Sequence, residues 1–133
     1  MNMTAEQELK RMVIMQAFEW EEKDAPIMTA DTIDFIYEEL GKSEEMQDYI
    51  CESYYELRTS GEATGLSCNW SRHYESEAVA AKSISGKWIG WTHWYGGGKH
   101  GEPEAIDWMG DAYFLDVKEE EKTVTVRTFT KGD

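Results

Sequence analysis

The residue types best suited to chemistry lie in a glycine-rich segment, residues 95–104, which reads YGGGKHGEPE. Successive glycines let backbone N–H groups approach an anion closely, and a neighbouring lysine and histidine supply positive charge and donors. One hypothesis is therefore a nucleotide-like ligand bound by residues 96–101, with these contacts: Trp94, Gly96, Gly97, Gly98, Lys99 and His100. The segment lacks the Gly-x-x-x-x-Gly-Lys-Ser/Thr spacing of a phosphate loop. The alternative is a plain connection between two strands.

Carboxylates at helical spacing form a second candidate site. Four of them recur at steps of three, four and four residues and so share one helix face, the carboxylate row: Glu45, Asp48, Glu52 and Glu56. The preceding helix adds Asp34, Glu38 and Glu39. Carboxylates one helical turn apart are separated by about 5–6 Å, close to the spacing of phosphates along a nucleic-acid strand. The row is either a phosphate mimic or a solvated face that keeps the protein soluble.

Aromatic residues concentrate on the predicted second strand, KWIGWTHWY. Alternation places Trp88 and Trp94 on one face of this strand and Trp91 and Tyr95 on the other. Helices can cover only one of these faces, so the other needs a partner protein, a second copy of the chain or a covering loop. We predict Trp91 and Tyr95 as partner contacts. A nucleic-acid stacking platform is disfavoured because few basic residues flank these rings.

Catalytic and metal-binding patterns are weak. Ser71, His73 and Glu75 alternate along a strand, which does not give the geometry of a catalytic triad. Cysteine and histidine lack zinc spacing. The acidic residues of the segment 102–111 lack the pattern of a calcium loop. We therefore predict no catalytic residue, no metal and no cofactor, and a protein that is not an enzyme.

Net charge limits the partners that this chain can bind. The 133 residues carry a net charge of −14, and residues 1–65 hold 16 Asp and Glu against 5 Lys and Arg, a net of −11. Such an excess repels phosphate backbones and anionic lipid. We expect no direct binding of nucleic acid or membrane, and a partner with a basic surface.

Composition predicts a folded cytoplasmic protein. Hydrophobic residues make up 41% and aromatic residues 13% of the chain, too many for a disordered acidic tail. No apolar run approaches the roughly 20 residues of a membrane span. The first residues, MNMTAEQELKRM, do not resemble a signal peptide. In the cytosol we expect Cys51 and Cys68 to be free thiols, with a disulfide as the alternative.

Periodicity predicts one α+β domain over residues 1–133, with N-terminal helices packed on one face of a four-stranded antiparallel β-meander. Residues 1–58 are predicted mainly helical, in three helices starting after Thr4, Thr29 and Ser43, with Gly41 ending the second. Residues 74–130 are predicted mainly as antiparallel strands. The four strands cover residues 74–84, 87–95, 105–117 and 123–129, with a tight turn at Ser85 and Gly86.

In general style the chain resembles the small acidic early proteins of tailed bacteriophages and prophages. The resemblance rests on a short acidic chain, few prolines, and segments such as WYGGGKHGEPEAIDW and AYFLDV that fit no enzyme signature. Inhibitors of host defence or of host nucleic-acid enzymes are common among such proteins, and several are acidic mimics. The resemblance thus implies an inhibitor and assigns no residue a role.

These observations together predict a non-enzymatic acidic inhibitor that occupies the basic, nucleic-acid-binding surface of a host or defence protein. The carboxylate row would supply charge and the exposed aromatic residues of the second strand would supply anchors. Formation of a homodimer is compatible with the two aromatic faces. A ligand-binding domain using residues 96–101 is the second hypothesis, and an enzyme is the third.

Overall fold

Three helices precede a small sheet in the structure, a computed structural model that describes residues 2–97 and 102–132. The helices are α1 (Ala5–Trp20), α2 (Ile33–Lys42) and α3 (Gln47–Ser60). The strands are β1 (Glu62–Ala63), β2 (Glu75–Lys82), β3 (Trp88–Tyr95) and β4 (Tyr113–Leu115), with a short 3-10 turn at Pro103–Ala105. The sheet order is β1-β2-β3-β4 with antiparallel neighbours. The predicted α+β class, with helices packed against a four-stranded antiparallel meander, is confirmed.

The start of α1 follows from its capping box. The N–H of Gln7 donates to Thr4 Oγ1 at 3.1 Å, and the N–H of Thr4 donates to Gln7 Oε1 at 3.0 Å. These two bonds satisfy donors that the first helical turn leaves without intrahelical partners. One face of α1 then buries Leu9, Val13 and Ala17 completely, as the periodicity predicts.

The second and third helices each begin three residues later than predicted. Thr29 starts a turn instead, in which its N–H donates to Thr32 Oγ1 at 3.0 Å, and α2 follows. Ser43 Oγ accepts the N–H of Met46 at 3.3 Å ahead of α3. Gly41, predicted to end α2, lies inside it. Both helices are thus preceded by a turn in which a side-chain oxygen, of Thr32 or of Ser43, accepts a backbone N–H.

The central hairpin sets the register of the sheet. Eight residue pairs join β2 to β3, from Glu75 opposite Tyr95 to Lys82 opposite Trp88. The predicted turn at Ser85 and Gly86 is confirmed, with Gly86 at a φ of 90°. Because glycine has no Cβ, it adopts this left-handed conformation without steric cost.

Both edge strands differ from the prediction. Glu62 and Ala63, which lie in no predicted strand, form β1, and the third predicted strand, residues 105–117, is reduced to β4. Residues 123–129, predicted as the fourth strand, lie outside every strand, and residues 116–132 contain neither helix nor strand. The physical reason is that β propensity measures how well a segment fits a partner strand. The free edge of β2 is occupied by β1 and that of β3 by β4.

The core lies between the helices and one face of the sheet. Trp91 of β3 and Trp108 of the loop before β4 are both buried, with ring centroids 5.3 Å apart. The indole N–H of Trp91 donates to the backbone oxygen of Arg58 at 3.2 Å. Ser53 Oγ donates to the backbone oxygen of Val13 at 2.8 Å and joins α3 to α1. The loop residue Trp108 thus completes a core that strand alternation alone does not define.

The opposite face of the sheet is covered in part by the chain's own loops and side chains. Ala78, Ala80 and Gly90 lie on this face and are buried. The ring of Tyr113 lies over Gly90, where an added Cβ would approach it to 2.6 Å. On the same face, Ser76 Oγ donates to the backbone oxygen of Asn69, in the loop between β1 and β2, at 2.8 Å. A loop therefore lies against part of the second aromatic face.

Candidate protein-binding surface

The carboxylate row is exposed along its whole length. Three of its members project from α3 and Glu45 lies in the turn just before that helix, and all four side chains are exposed. The other side of α3 explains this orientation, because it buries Ile50, Ser53 and Leu57 against the core. The apolar stripe fixes the helix and so directs the carboxylates to solvent.

Positive charge compensates only one end of the row. Lys23, from the segment after α1, forms an ion pair with Glu45. Within residues 2–97 and 102–132, Asp48, Glu52 and Glu56 form no ion pair. This pair joins residues 22 positions apart in the sequence, so helical spacing alone does not reveal it. The three carboxylates of α3 remain as the uncompensated part.

Two of the three carboxylates of α2 that extend the predicted site, Asp34 and Glu38, are paired with lysines of this chain. Asp34 Oδ1 accepts a hydrogen bond from Lys10 Nζ at 3.0 Å, and its Oδ2 accepts one from Gln7 Nε2 at 3.1 Å. The bond from Lys10 lowers the pKa of the Asp34 carboxyl below its usual value. Glu38 accepts from Lys42 at 3.1 Å. A basic partner would have to displace these lysines before it gained either charge.

An aromatic side chain that the sequence analysis missed lies within the row. Tyr55 follows Glu52 by three residues and Asp48 by seven, so these three side chains share one face of α3. It is 43% exposed, and its ring meets that of Tyr54 edge to face, with centroids 5.3 Å apart. Its spacing from Asp48 and Glu52 is the signal in the sequence that places it on this face. Tyrosine is a frequent anchor at protein interfaces.

Trp91 does not belong to an exposed surface, which corrects the prediction for that residue. Its side chain is fully buried because β3 turns that face toward the helices. Tyr95, on the same face at the end of β3, is 40% exposed, with its ring centroid 5.5 Å from that of His93. A partner can therefore reach Tyr95 but has no surface of Trp91 to touch.

The glycine-rich segment is described only at its first residues. Gly96 and Gly97 adopt left-handed conformations, with φ of 77° and 88°. Gly98, Lys99, His100 and Gly101 lie outside the described residues. Trp94, the proposed stacking residue of this ligand site, is only 7% exposed. Little of its ring is thus accessible to a planar ligand.

The histidine and cysteine side chains of the described residues form no metal-binding cluster. The described residues include no group of three or more His, Cys, Asp or Glu arranged to hold a metal ion. Burial lowers the pKa of His93, and the nearby charge of Arg58 adds to this effect. Cys51 and Cys68 are free thiols, as predicted.

Comparison with known proteins gives no relative from which a function could be transferred. No protein-family model matches the chain, and no curated protein or solved structure matches it either. Among the described residues, no helix has both the length and the apolar character needed to cross a membrane. The functional argument therefore rests on the exposed surface of α3.

Proposed function

We propose that this protein is a non-enzymatic inhibitor that binds the basic, nucleic-acid-binding surface of another protein. The observation that carries the proposal is the part of the carboxylate row that lies on α3. Its three carboxylates are exposed and have no compensating charge within the described residues. Asp48, Glu52 and Glu56 supply negative charge, and Tyr55 between them supplies an aromatic contact.

The geometry suits a groove that normally holds a phosphate backbone. Successive carboxylates on α3 are separated by about 5–6 Å, the distance between neighbours one helical turn apart. Lysine and arginine side chains that are spaced for phosphates can therefore reach them. The rigid helix also holds the charges in place before binding, so little conformational entropy is lost.

The whole-molecule charge supports the same function. A protein of net charge −14 attracts a basic partner over distances comparable to the Debye length and repels free nucleic acid. Such steering accelerates association and makes it sensitive to salt. Tailed-phage early proteins, which the sequence resembles in style, would use such a surface against a host or defence protein in the bacterial cytosol.

The first test compares two charge-reversal variants with equal net charge. The variant E52K/E56K alters the row, and E120K/E121K makes the same charge change in the exposed C-terminal region. Each protein is immobilised and exposed to a bacterial lysate that has been cleared of nucleic acid. We expect the wild type and E120K/E121K to retain the same basic proteins and to release them between about 0.05 and 0.5 M NaCl, as screening shortens the range of charge attraction. E52K/E56K should not retain them.

The second step tests inhibition directly. A protein recovered in this way is bound to a labelled DNA or RNA duplex, and wild type or E52K/E56K is added. Wild type should displace the duplex and E52K/E56K should not. Equal retention by the two charge-reversal variants, or retention without displacement of the duplex, would show the proposal to be wrong.

A further inference from the structure

The last part of the chain has the composition of a β-strand but no strand to pair with. Residues 123–129 read TVTVRTF, and Val124, Val126 and Phe129 are 75%, 84% and 85% exposed. β-Branched and aromatic residues favour strands, and a run of them left in water tends to associate with another surface. We therefore expect these side chains to be buried against another surface.

A groove on the outer face of the sheet, opposite the helices, has the right character. Its floor is formed by Ala80 of β2, Trp88 of β3 and Leu115 of β4, and its sides include Leu66 and Val117. We call this the outer groove. Its volume is about 390 Å³, and Leu66 and Val117 are 52% and 46% exposed. The groove is open to solvent on the outer face.

Charge distribution favours the C-terminal segment of this same protein as the occupant. Residues 122–132 contain Lys122, Arg127 and Lys131 and no Asp or Glu, a net charge of +3. The rest of the chain therefore carries −17. The margin of the outer groove bears three carboxylates and one lysine: Glu62, Asp116, Glu119 and Lys118. A basic segment with an apolar face thus complements an apolar groove with an acidic margin.

The path of the chain argues for binding to a second copy. Val117, Lys118 and Glu119 line the groove, and the chain leaves it there toward residues 122–132. Residues 116–132 contain no turn that would fold them back, and Val124, Val126 and Phe129 stay exposed, so the segment does not fill its own groove. Fifteen residues, from 118 to 132, can extend over about 50 Å, enough to reach an adjacent copy.

We propose that residues 122–132 of one copy of this chain bind the outer groove of a second copy, reciprocally, and so form a two-fold symmetric dimer. Val124 and Val126 lie on the same face of an extended chain and enter the groove against Trp88 and Leu115. Lys122 lies on this same face and reaches the acidic margin, whereas Arg127 lies on the opposite face, which points out of the groove. The exchange makes the same contacts twice, as in an isologous interface.

Light scattering after gel filtration gives the first test on the full chain. At about 100 µM, well above a micromolar dissociation constant, the expected mass is twice the 15.4 kDa of one chain. Val124→Glu together with Val126→Glu should give a single chain, because both charges would enter the apolar groove. Thr123→Glu together with Thr125→Glu adds the same charge on the opposite face and should remain mostly dimeric. A wild-type mass of one chain, or a dimer that V124E/V126E leaves intact, would overturn the proposal.

Cross-linking distinguishes exchange between copies from binding within one copy. Cys51 and Cys68 are first replaced by serine, and then Leu66→Cys and Val126→Cys are introduced in separate chains. Mixing the two under oxidising conditions should give a disulfide-linked heterodimer. If instead only the chain carrying both substitutions forms a disulfide, and it does so at the mass of one chain, the segment binds its own groove and the proposal is wrong.

Discussion

At the scale of single residues, burial separates two tryptophans that look alike in the sequence. Trp91 is fully buried, contacts Trp108 and donates to the backbone oxygen of Arg58. Trp70, in the loop between β1 and β2, is 82% exposed. The first is part of the core, and the second contributes little to it.

This difference predicts unequal losses of stability. Trp91→Ala should lower the free energy of unfolding by about 3–5 kcal/mol, because it removes a large buried side chain and leaves a cavity. Trp70→Ala should change it by less than about 0.5 kcal/mol, as is usual for an exposed position. Urea unfolding followed by circular dichroism measures both. Equal losses in the two variants would show that Trp91 is not in the core.

At the scale of elements, two glycines have opposite roles. Gly41 lies within α2 with open space around the position of a Cβ. Gly90 lies on β3, where an added Cβ would lie 2.6 Å from the Tyr113 ring and 3.0 Å from Leu115 Cδ1. The absence of a side chain at Gly90 is what allows β4 to bring Tyr113 across the sheet.

Alanine at these two positions should therefore act in opposite directions. Gly41→Ala should stabilise the protein by up to about 1 kcal/mol, since alanine loses less backbone entropy in a helix. Gly90→Ala should destabilise it by about 1–3 kcal/mol through overpacking. Thermal and urea unfolding give both values. In a Tyr113→Ala background the cost of Gly90→Ala should shrink, and an unchanged cost would mean that Tyr113 does not lie over Gly90.

Among the strands, the central hairpin can be predicted from the sequence and the two edge strands cannot. The hairpin of β2 and β3 could be predicted because a dense aromatic strand and a Ser-Gly turn specify it locally. The edge strands could not be predicted, because the identity of an edge strand depends on which segment the tertiary fold places beside the free N–H and C=O groups of the hairpin. Glu62 and Ala63 follow directly after α3, and the position of that helix places them beside β2.

At the scale of the whole molecule, the negative charge opposes folding. A net charge of −14 raises the free energy of the compact state through mutual repulsion. The compensating pairs Lys10 with Asp34 and Lys42 with Glu38 reduce this repulsion locally, while the α3 carboxylates retain it. An uncompensated surface of this kind costs stability and is consistent with a role in binding.

Salt should therefore stabilise the protein. Raising NaCl from about 0.01 to 0.15 M shortens the Debye length from about 30 to 8 Å and should raise the melting temperature. At low salt E52K/E56K should melt above the wild type, because it relieves the repulsion on α3. E120K/E121K, with equal net charge, should shift less because residues 116–132 belong to no helix or strand. A melting temperature that is independent of salt would contradict this account.

The sequence by itself determined the class of the fold, the capped first helix, the central hairpin and the exposed face of α3. Each of these depends on contacts between residues close in the chain, so periodicity and turn chemistry reveal them. The tertiary structure alone decided that Lys23 compensates Glu45, that Trp91 is buried, and that residues 123–129 remain without a partner strand. Those outcomes depend on contacts between residues distant in sequence, whose meeting is decided by the packing of whole elements and is not visible in any local pattern.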